Sequence, residues 1–296
     1  MKPVAFVLDA AGGLGDAVAA RLGCGMEHVA LHEFPDGETA VRIDPDAVAD
    51  TVLVAASLDH PNTRIVPLLF LARTLRDYGA RRLLLLAPYL AYMRQDRRFK
   101  PGQGISARYF AGLLSGYFDG LVTVDPHLHR IPSLDDIYTI PSRVVHAAPA
   151  VAEWISTSVE RPLLIGPDSE SGQWVSDLAR RAGCPFIVLN KIRRGDRRVE
   201  VSVPEVEQWS RHTPVLYDDM ISTGRTMLET VGHLQEAGMA APVCIAVHGV
   251  FAGDAYRSLL EAGAAQVVTT NTIRHESNRI DLARPVCDAV QALLDK

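Results

Sequence analysis

Val215-Leu216-Tyr217-Asp218-Asp219-Met220-Ile221-Ser222-Thr223-Gly224-Arg225-Thr226 runs in the order of a strand, a loop and a helix. Val215–Tyr217 is short and apolar, as a strand buried on both faces would be. Two acids follow it, and a Ser/Thr/Gly loop then opens a helix expected over Thr226–Ala237. These parts have separable jobs. Adjacent carboxylates at a strand end can accept hydrogen bonds from the vicinal hydroxyls of a ribose, and loop amides and hydroxyls at a helix amino terminus can hold a phosphate. A diol and a phosphate on one small molecule describe a ribose phosphate. An acidic strand end before a capped helix is also an ordinary structural unit, so the rest of the chain has to decide between the two.

Working outward, the same rhythm recurs. Apolar runs stand at Val4–Leu8, Thr51–Ala56, Arg82–Ala87, Leu121–Val124, Leu163–Ile165, Phe186–Leu189, Val243–Val247 and Gln266–Thr269. Amphipathic stretches lie between them at Arg64–Tyr78, Ser106–Ser115, Ser171–Ala182 and Asp254–Ala262, most closed by a glycine suited to a left-handed cap. This alternation specifies α/β layers of mainly parallel strands with right-handed crossovers. It occurs once before about residue 140 and again after Glu160, with Ile140-Pro141-Ser142 and Glu160-Arg161-Pro162 as punctuation around a short helical link. The expected domains are 1–145 and 146–280, followed by a terminal segment 281–296. In such sheets ligands bind beyond the carboxyl ends of the strands.

Composition narrows the function classes. The 296 residues are 48% hydrophobic and 22% charged, as in an ordinary globular protein. Thirty Lys and Arg against 35 Asp and Glu give a net charge of -5, so there is no global basic surface for nucleic acid. Cys24, Cys184, Cys244 and Cys287 are far apart, with no CxxC pair, which fits reduced thiols. The apolar run before Asp9, about six residues, is too short for a signal-peptide core or a membrane span. A cytoplasmic protein without a membrane partner is expected. Gly12-Gly13-Leu14-Gly15 does not complete GxGxxG, and GxxxxGK[ST] does not occur. Neither a dinucleotide fold nor a P-loop kinase is supported.

A second segment, Pro88-Tyr89-Leu90-Ala91-Tyr92-Met93-Arg94-Gln95-Asp96-Arg97-Arg98, offers fixed donors for a polyphosphate in Arg94 and Gln95. Asp96 can orient an arginine or bind nucleotide. With Gly104-Ile105-Ser106-Ala107 behind it, this segment resembles ribose-phosphate pyrophosphokinases, and the Asp218–Thr226 loop resembles the phosphoribosyl-pyrophosphate motif they share with type I phosphoribosyltransferases. The similarity covers roughly residues 4–285, with its separate segments in the family order, and is closest to an archaeal-like or divergent bacterial branch. Ser222 stands where many members have an acid, and Arg225 where a second glycine is usual.

The resemblance implies two similar type I phosphoribosyltransferase-like domains, the terminal segment returning to the first and ATP held between them. It implies transfer of the pyrophosphoryl group of Mg-ATP to O1 of ribose 5-phosphate. Asp218, Asp219, Ser222, Thr223, Gly224, Arg225 and Thr226 would bind the sugar phosphate. Phe34-Pro35-Asp36-Gly37-Glu38 matches the adenine-receiving segment: Phe34 can stack on a purine, and Asp36 and Glu38 can accept from its amine around Gly37. By itself Pro-Asp-Gly-Glu is a turn signature.

Thr123-Val124-Asp125-Pro126-His127-Leu128-His129 suggests an HxH metal site but lacks the further ligands that hydrolytic zinc requires. The resemblance instead gives His127 contact with ATP and its metal, and gives His129 nothing. Asp168, in Gly166-Pro167-Asp168-Ser169-Glu170-Ser171, matches a Mg²⁺-associated aspartate and could equally cap a helix. Leu189-Asn190-Lys191-Ile192-Arg193-Arg194-Gly195-Asp196-Arg197-Arg198 matches a catalytic loop, with Lys191 and Arg193 acting on the phosphates and Arg193 also near the sugar phosphate. A solvated basic hairpin explains Arg194, Arg197 and Arg198 equally well. A homo-oligomer, at least a dimer, is expected because the family takes Phe34 in part from a neighbouring subunit. The rival readings are a catalytically weak regulatory homologue and a phosphoribosyltransferase consuming the same product.

Overall fold

The computed structural model describes residues 3–8, 13–128, 130–166, 172–194, 198–202 and 206–296. The chain forms two compact units, one of Met1–His146 with Thr272–Arg274 and Leu282–Lys296, the other of Ala147–Asn271 with His275–Asp281.

In the first unit the strands are β1 (Val4–Val7), β2 (Gly25–His28), β3 (Ala30–Glu33), β4 (Thr39–Arg42), β5 (Thr51–Ala55), β6 (Arg82–Ala87), β7 (Gly120–Val124) and β8 (Ser142–Val145). Six of them make a parallel sheet in the order β2-β1-β5-β6-β7-β8, while β3 and β4 form a separate antiparallel hairpin. The central strands β5, β6 and β7 are buried almost throughout, as expected for strands covered on both faces. The helices are α1 (Leu14–Leu22), α2 (Pro61–Asp77) and α3 (Ser106–Ser115). Helix α2 starts three residues before the apolar periodicity does, because Pro61 suits a first helical position, where the missing amide costs nothing. Its core includes Leu68, Leu71, Leu75, Leu83, Leu85, Phe110 and Leu114.

The second unit contains α4 (Ala148–Ser158), β9 (Pro162–Gly166), α5 (Gly172–Ala182), β10 (Phe186–Val188), β11 (Asn190–Arg194), β12 (Arg198–Ser202), α6 (Val206–Trp209), β13 (Thr213–Ile221), α7 (Arg225–Glu236), β14 (Val243–Gly249), α8 (Ala255–Glu261), β15 (Gln266–Thr270) and β16 (Asn278–Ile280). Its parallel sheet has the order β10-β9-β13-β14-β15-β16, and β11 pairs with β12, antiparallel, in a separate two-stranded ladder. Leu163, Ile165, Leu216, Val231, Leu234 and Leu259 lie in its core.

The wiring of the two units is the same. In each, the second strand lies outside the first, an antiparallel two-strand excursion follows, and the remaining four strands are added in sequence on the other side. The order therefore reverses between β1 and β5, and again between β9 and β13. Such switch points leave a crevice at the carboxyl ends of the strands.

The last helix, α9 (Ala283–Leu294), belongs to the first unit. It packs on α1, β7 and β8 through a stripe of Ala283, Val286, Val290 and Leu293. Its carboxyl end is held by Arg82, whose guanidinium donates to the carbonyls of Leu293 and Leu294.

Candidate active site

Strand β13 runs well past the apolar triplet, so Asp218 and Asp219 lie inside its last turn of pleat rather than beyond it. Pairing with β14 on one side accounts for the extension: Asp218 is in register with Ala246, and Ile221 with Gly249. Both carboxylates are half-buried, and Oδ1 of Asp218 accepts from the Asp219 amide at 2.9 Å. Gly224 then adopts φ +68°, which turns the chain into α7 at the cost of no side-chain clash. Ser222, Thr223, Gly224, Arg225 and Thr226 thus sit together at the strand end. Thr223, Arg225 and Thr226 are exposed.

Arg225 does not crowd the loop. Its Nε lies 3.1 Å from Oε1 of Glu229, one helical turn along α7. An exposed i,i+4 pair of this kind is worth roughly 0.3–0.5 kcal/mol. A charge-assisted bond to a phosphate, at about 1.5–3 kcal/mol, exceeds that. Lys191 and Arg193 lie on β11, in register with Val201 and Val199 of β12. Asp168 and His129 lie outside the described residues.

In the first unit the adenine-type segment is the turn of the β3–β4 hairpin. The Phe34 amide donates to the Glu38 carbonyl (2.8 Å), the Gly37 amide to the Phe34 carbonyl (2.9 Å), and the Glu38 amide to Oδ1 of Asp36 (3.2 Å). Gly37 takes φ +89°. The Phe34 ring is 43% exposed, with His32 edge-on to it at 4.6 Å, so one face of Phe34 can receive a flat ring.

The Arg94–Asp96 segment follows β6, and His127 follows β7. Neighbouring parallel strands bring these ends together, and the Val124 amide donates to the Pro88 carbonyl at 3.2 Å. Arg94 is exposed. Gln95 turns its amide inward, donating to the carbonyl of Gly104 (3.3 Å) and bracing the loop that leads into α3. Asp96 is buried, and both of its oxygens accept from Nη1 of Arg130 at 3.3 Å. Of the two roles open to Asp96, orienting an arginine is the one this geometry displays. His127 is half-buried at the same strand edge.

Several residues at this edge were not singled out by the sequence patterns. Asp59, beyond β5, is 8% exposed and is held by Arg64 (3.2 Å) and His60 (2.7 Å). Asp125 holds His146 at 2.9 Å. Asp125 was already visible two residues before His127, and Asp59-His60 just before a helix-starting proline, but nothing in the linear sequence joins either one to its partners. Tyr92 (φ +63°), Asp125 (φ +30°) and Phe251 (φ +41°) are left-handed non-glycine residues at carboxyl strand ends. Each costs on the order of 1–3 kcal/mol, a strain that gathers at functional sites.

Among the described residues no group of three or more His, Cys, Asp or Glu side chains could hold a metal ion. A Mg²⁺ carried on phosphates needs only one or two protein ligands. Of the two residues that the resemblance assigns to the metal, His127 is described and lies half-buried beyond β7.

Two α/β units with identical wiring, each with polar residues beyond the carboxyl ends of its parallel strands, define a tandem phosphoribosyltransferase-type protein. Residues 4–117 match the N-terminal domain of ribose phosphate pyrophosphokinase, and residues 133–282 match the phosphoribosyl transferase domain. The ribose-phosphate pyrophosphokinase of Methanopyrus kandleri is 32% identical over 283 residues, covering 95% of this chain and 96% of that protein. That of Methanobrevibacter smithii is 30% identical over 287 residues, covering 93% and 95%. The crystal structure of phosphoribosylpyrophosphate synthetase from Mycobacterium smegmatis superposes with a TM-score of 0.82 at 26% identity, covering 100% of this chain and 99% of that one. The chain belongs to the ribose-phosphate pyrophosphokinase family.

Proposed function

We propose that this chain transfers the pyrophosphoryl group of Mg-ATP to O1 of ribose 5-phosphate, releasing AMP and 5-phosphoribosyl 1-pyrophosphate. The observation carrying this reading is the pair Asp218 and Asp219 at the end of β13, directly before a phosphate-type loop, in a chain whose relatives of the same length bear that activity in their names. A match over both units favours this reaction over a phosphoribosyltransferase consuming the product, and retention of Lys191, Arg193, His127, Asp168, Asp218 and Asp219 favours it over a catalytically weak regulatory homologue.

The work divides between the two domains. Over 146–280, Asp218 and Asp219 accept from the ribose hydroxyls, while Ser222–Thr226 donate to the 5′-phosphate, with Arg225 drawn off Glu229 as a further donor. Over 1–145, Phe34, Asp36, Gly37 and Glu38 receive adenine. Arg94, Gln95, Asp96 and His127 make up the polyphosphate side, Asp96 acting through Arg130. Mg²⁺, with His127 and Asp168 as protein ligands, neutralises phosphate charge when bound. Attack by O1 in line with the departing AMP oxygen needs positioning and charge more than covalent help. Lys191 and Arg193 supply that charge as the phosphoryl group transfers.

We assign the working form to a homo-oligomer, at least a dimer. Val66 and Phe70 on α2 and Tyr109 and Leu113 on α3 are exposed apolar side chains. The two helices are neighbours, since the Arg73 guanidinium of α2 lies 5.1 Å from the Tyr117 ring just past α3. That surface suits a second copy better than water. A cytoplasmic setting fits the four free thiols. Among the described residues no helix is long and apolar enough to cross a membrane.

The decisive assay incubates the protein with ATP, Mg²⁺ and ribose 5-phosphate and follows AMP and phosphoribosyl pyrophosphate together by chromatography. Equimolar formation of both, abolished when the sugar phosphate is omitted, is the expected result. ATP binding with neither product would instead leave the regulatory homologue.

A further inference from the structure

Beyond β14 the chain reaches back to the phosphate-type loop. The Phe251 amide donates to the Ile221 carbonyl at 2.9 Å, and the Ala252 amide to the Ser222 carbonyl at 3.0 Å. In a trans peptide the carbonyl and the following amide point in opposite directions. Tying the carbonyls of Ile221 and Ser222 to one side therefore aims the amides of Ser222 and Thr223 to the other. The residue making the first of these ties sits at φ +41°, where a non-glycine side chain rests only if its surroundings hold it.

Those surroundings are built from several elements. The Phe251 ring lies 4.5 Å from the His275 ring and 5.4 Å from Tyr256 of α8, and Tyr256 and His275 meet edge-on at 4.8 Å. His275 is fixed in turn: the Ser277 amide donates to its Nδ1 at 3.1 Å, and its own amide donates to Oδ1 of Asn278 at 2.9 Å. Gly249 completes the seat by having no side chain. A Cβ there would come within 2.5 Å of the Phe251 ring and 3.0 Å of the Thr269 methyl.

We infer that Phe251, clamped by Tyr256 and His275 over Gly249, is a positioning residue that fixes the peptide planes of the loop at Ser222 and Thr223 and so sets affinity for the 5′-phosphate. The inference rests on the assignment of ribose 5-phosphate to this loop.

The test measures KM for both substrates and kcat in Phe251→Ala, Phe251→Gly, Phe251→Leu and Gly249→Ala, with circular dichroism to show that each variant is folded. Loss of the ring should raise KM for ribose 5-phosphate about tenfold in Phe251→Ala and Phe251→Gly, since small misplacement of a positioning group weakens productive binding. KM for ATP should stay within about twofold, because its proposed residues lie elsewhere. Gly249→Ala, which evicts the ring from another direction, should behave like Phe251→Ala, and Phe251→Leu should recover most of the loss. Wild-type affinity in Phe251→Gly would show that the backbone conformation, not the ring, sets the loop, and would overturn the inference. A parallel rise in both KM values would do the same by revealing general disruption. Asp218→Asn and Asp219→Asn serve as the reference pair. If they bind the sugar phosphate normally, the ribose assignment itself fails. If they bind it weakly while the variants at 249 and 251 bind it normally, only the present inference fails.

Discussion

Asp218 and Asp219 are adjacent in a strand, where side chains alternate between faces. Both lie inside the β13 ladder, before Gly224 turns the chain into α7. The order of strand, two acids, loop and helix was readable from residue types, because a short apolar run and a Ser/Thr/Gly loop each carry a local signal. The position of Arg225 was not, since the sequence leaves open whether its guanidinium faces the loop or Glu229. Asp96 shows the same limit: its burial under Arg130 joins residues 34 positions apart. Lys191 is the residue whose role can be separated most sharply by kinetics. Lys191→Ala should lower kcat by about 10²–10³-fold with modest change in either KM, the pattern left by losing charge that acts mainly in the transition state. Undiminished AMP release would remove Lys191 from the catalytic group.

At the scale of elements, the turn joining β15 to β16 is a dense polar knot. Thr269 and Ser277 hydroxyls lie 2.7 Å apart, the Asn278 side-chain Nδ2 donates to the Thr269 hydroxyl and the Thr270 carbonyl, and the ladder shifts register at Thr269/Thr270. His275 is half-buried here, and that burial lowers its pKa against a smaller opposing pull from Glu276. The sign follows from linkage. The unfolded chain takes up the proton first, so stability contributed by the neutral ring is complete above the ordinary histidine value of about 6.5. It is lost as pH falls through the lower folded value. Melting temperature should therefore drop on acidification below about pH 6.5, and His275→Gln should flatten that part of the profile when melts are followed by circular dichroism. An unchanged slope in the variant would place the titration elsewhere. Among the elements, the apolar central strands were legible because burial on both faces leaves a continuous hydrophobic run. Strands β2, β3, β4, β8 and β16 were not. Gly25–His28 carries little apolar signal, being mostly exposed at the sheet edge, and Ser142–Val145 begins inside what reads as a Pro-Ser break.

For the whole molecule, the repeated wiring means that corresponding strand ends carry different residues. The third strand of each six-stranded sheet leads to a loop before a helix, Asp59-His60 in one and Ser222–Gly224 in the other; the fourth leads to Arg94–Asp96 in one and Phe251 in the other. The apolar surface of α2 and α3 belongs to this scale too. Phe70→Asp should shift the species seen by size-exclusion chromatography with light scattering to a smaller mass, since a charge buried in an apolar interface is poorly tolerated. Wild-type mass in the variant would show that subunits do not meet through this face.

By itself the sequence determined the alternation of strands and helices, the two-fold repetition of that alternation and the chemical identity of its polar strand ends. Each of these is written in residues close together in the chain, where hydrophobic period and turn chemistry act locally. Only the tertiary structure decided that Arg130 closes on Asp96 and that Phe251 is clamped by Tyr256 and His275. These contacts join side chains distant in sequence, and their partners are chosen by how buried surfaces fit together rather than by any pattern along the chain.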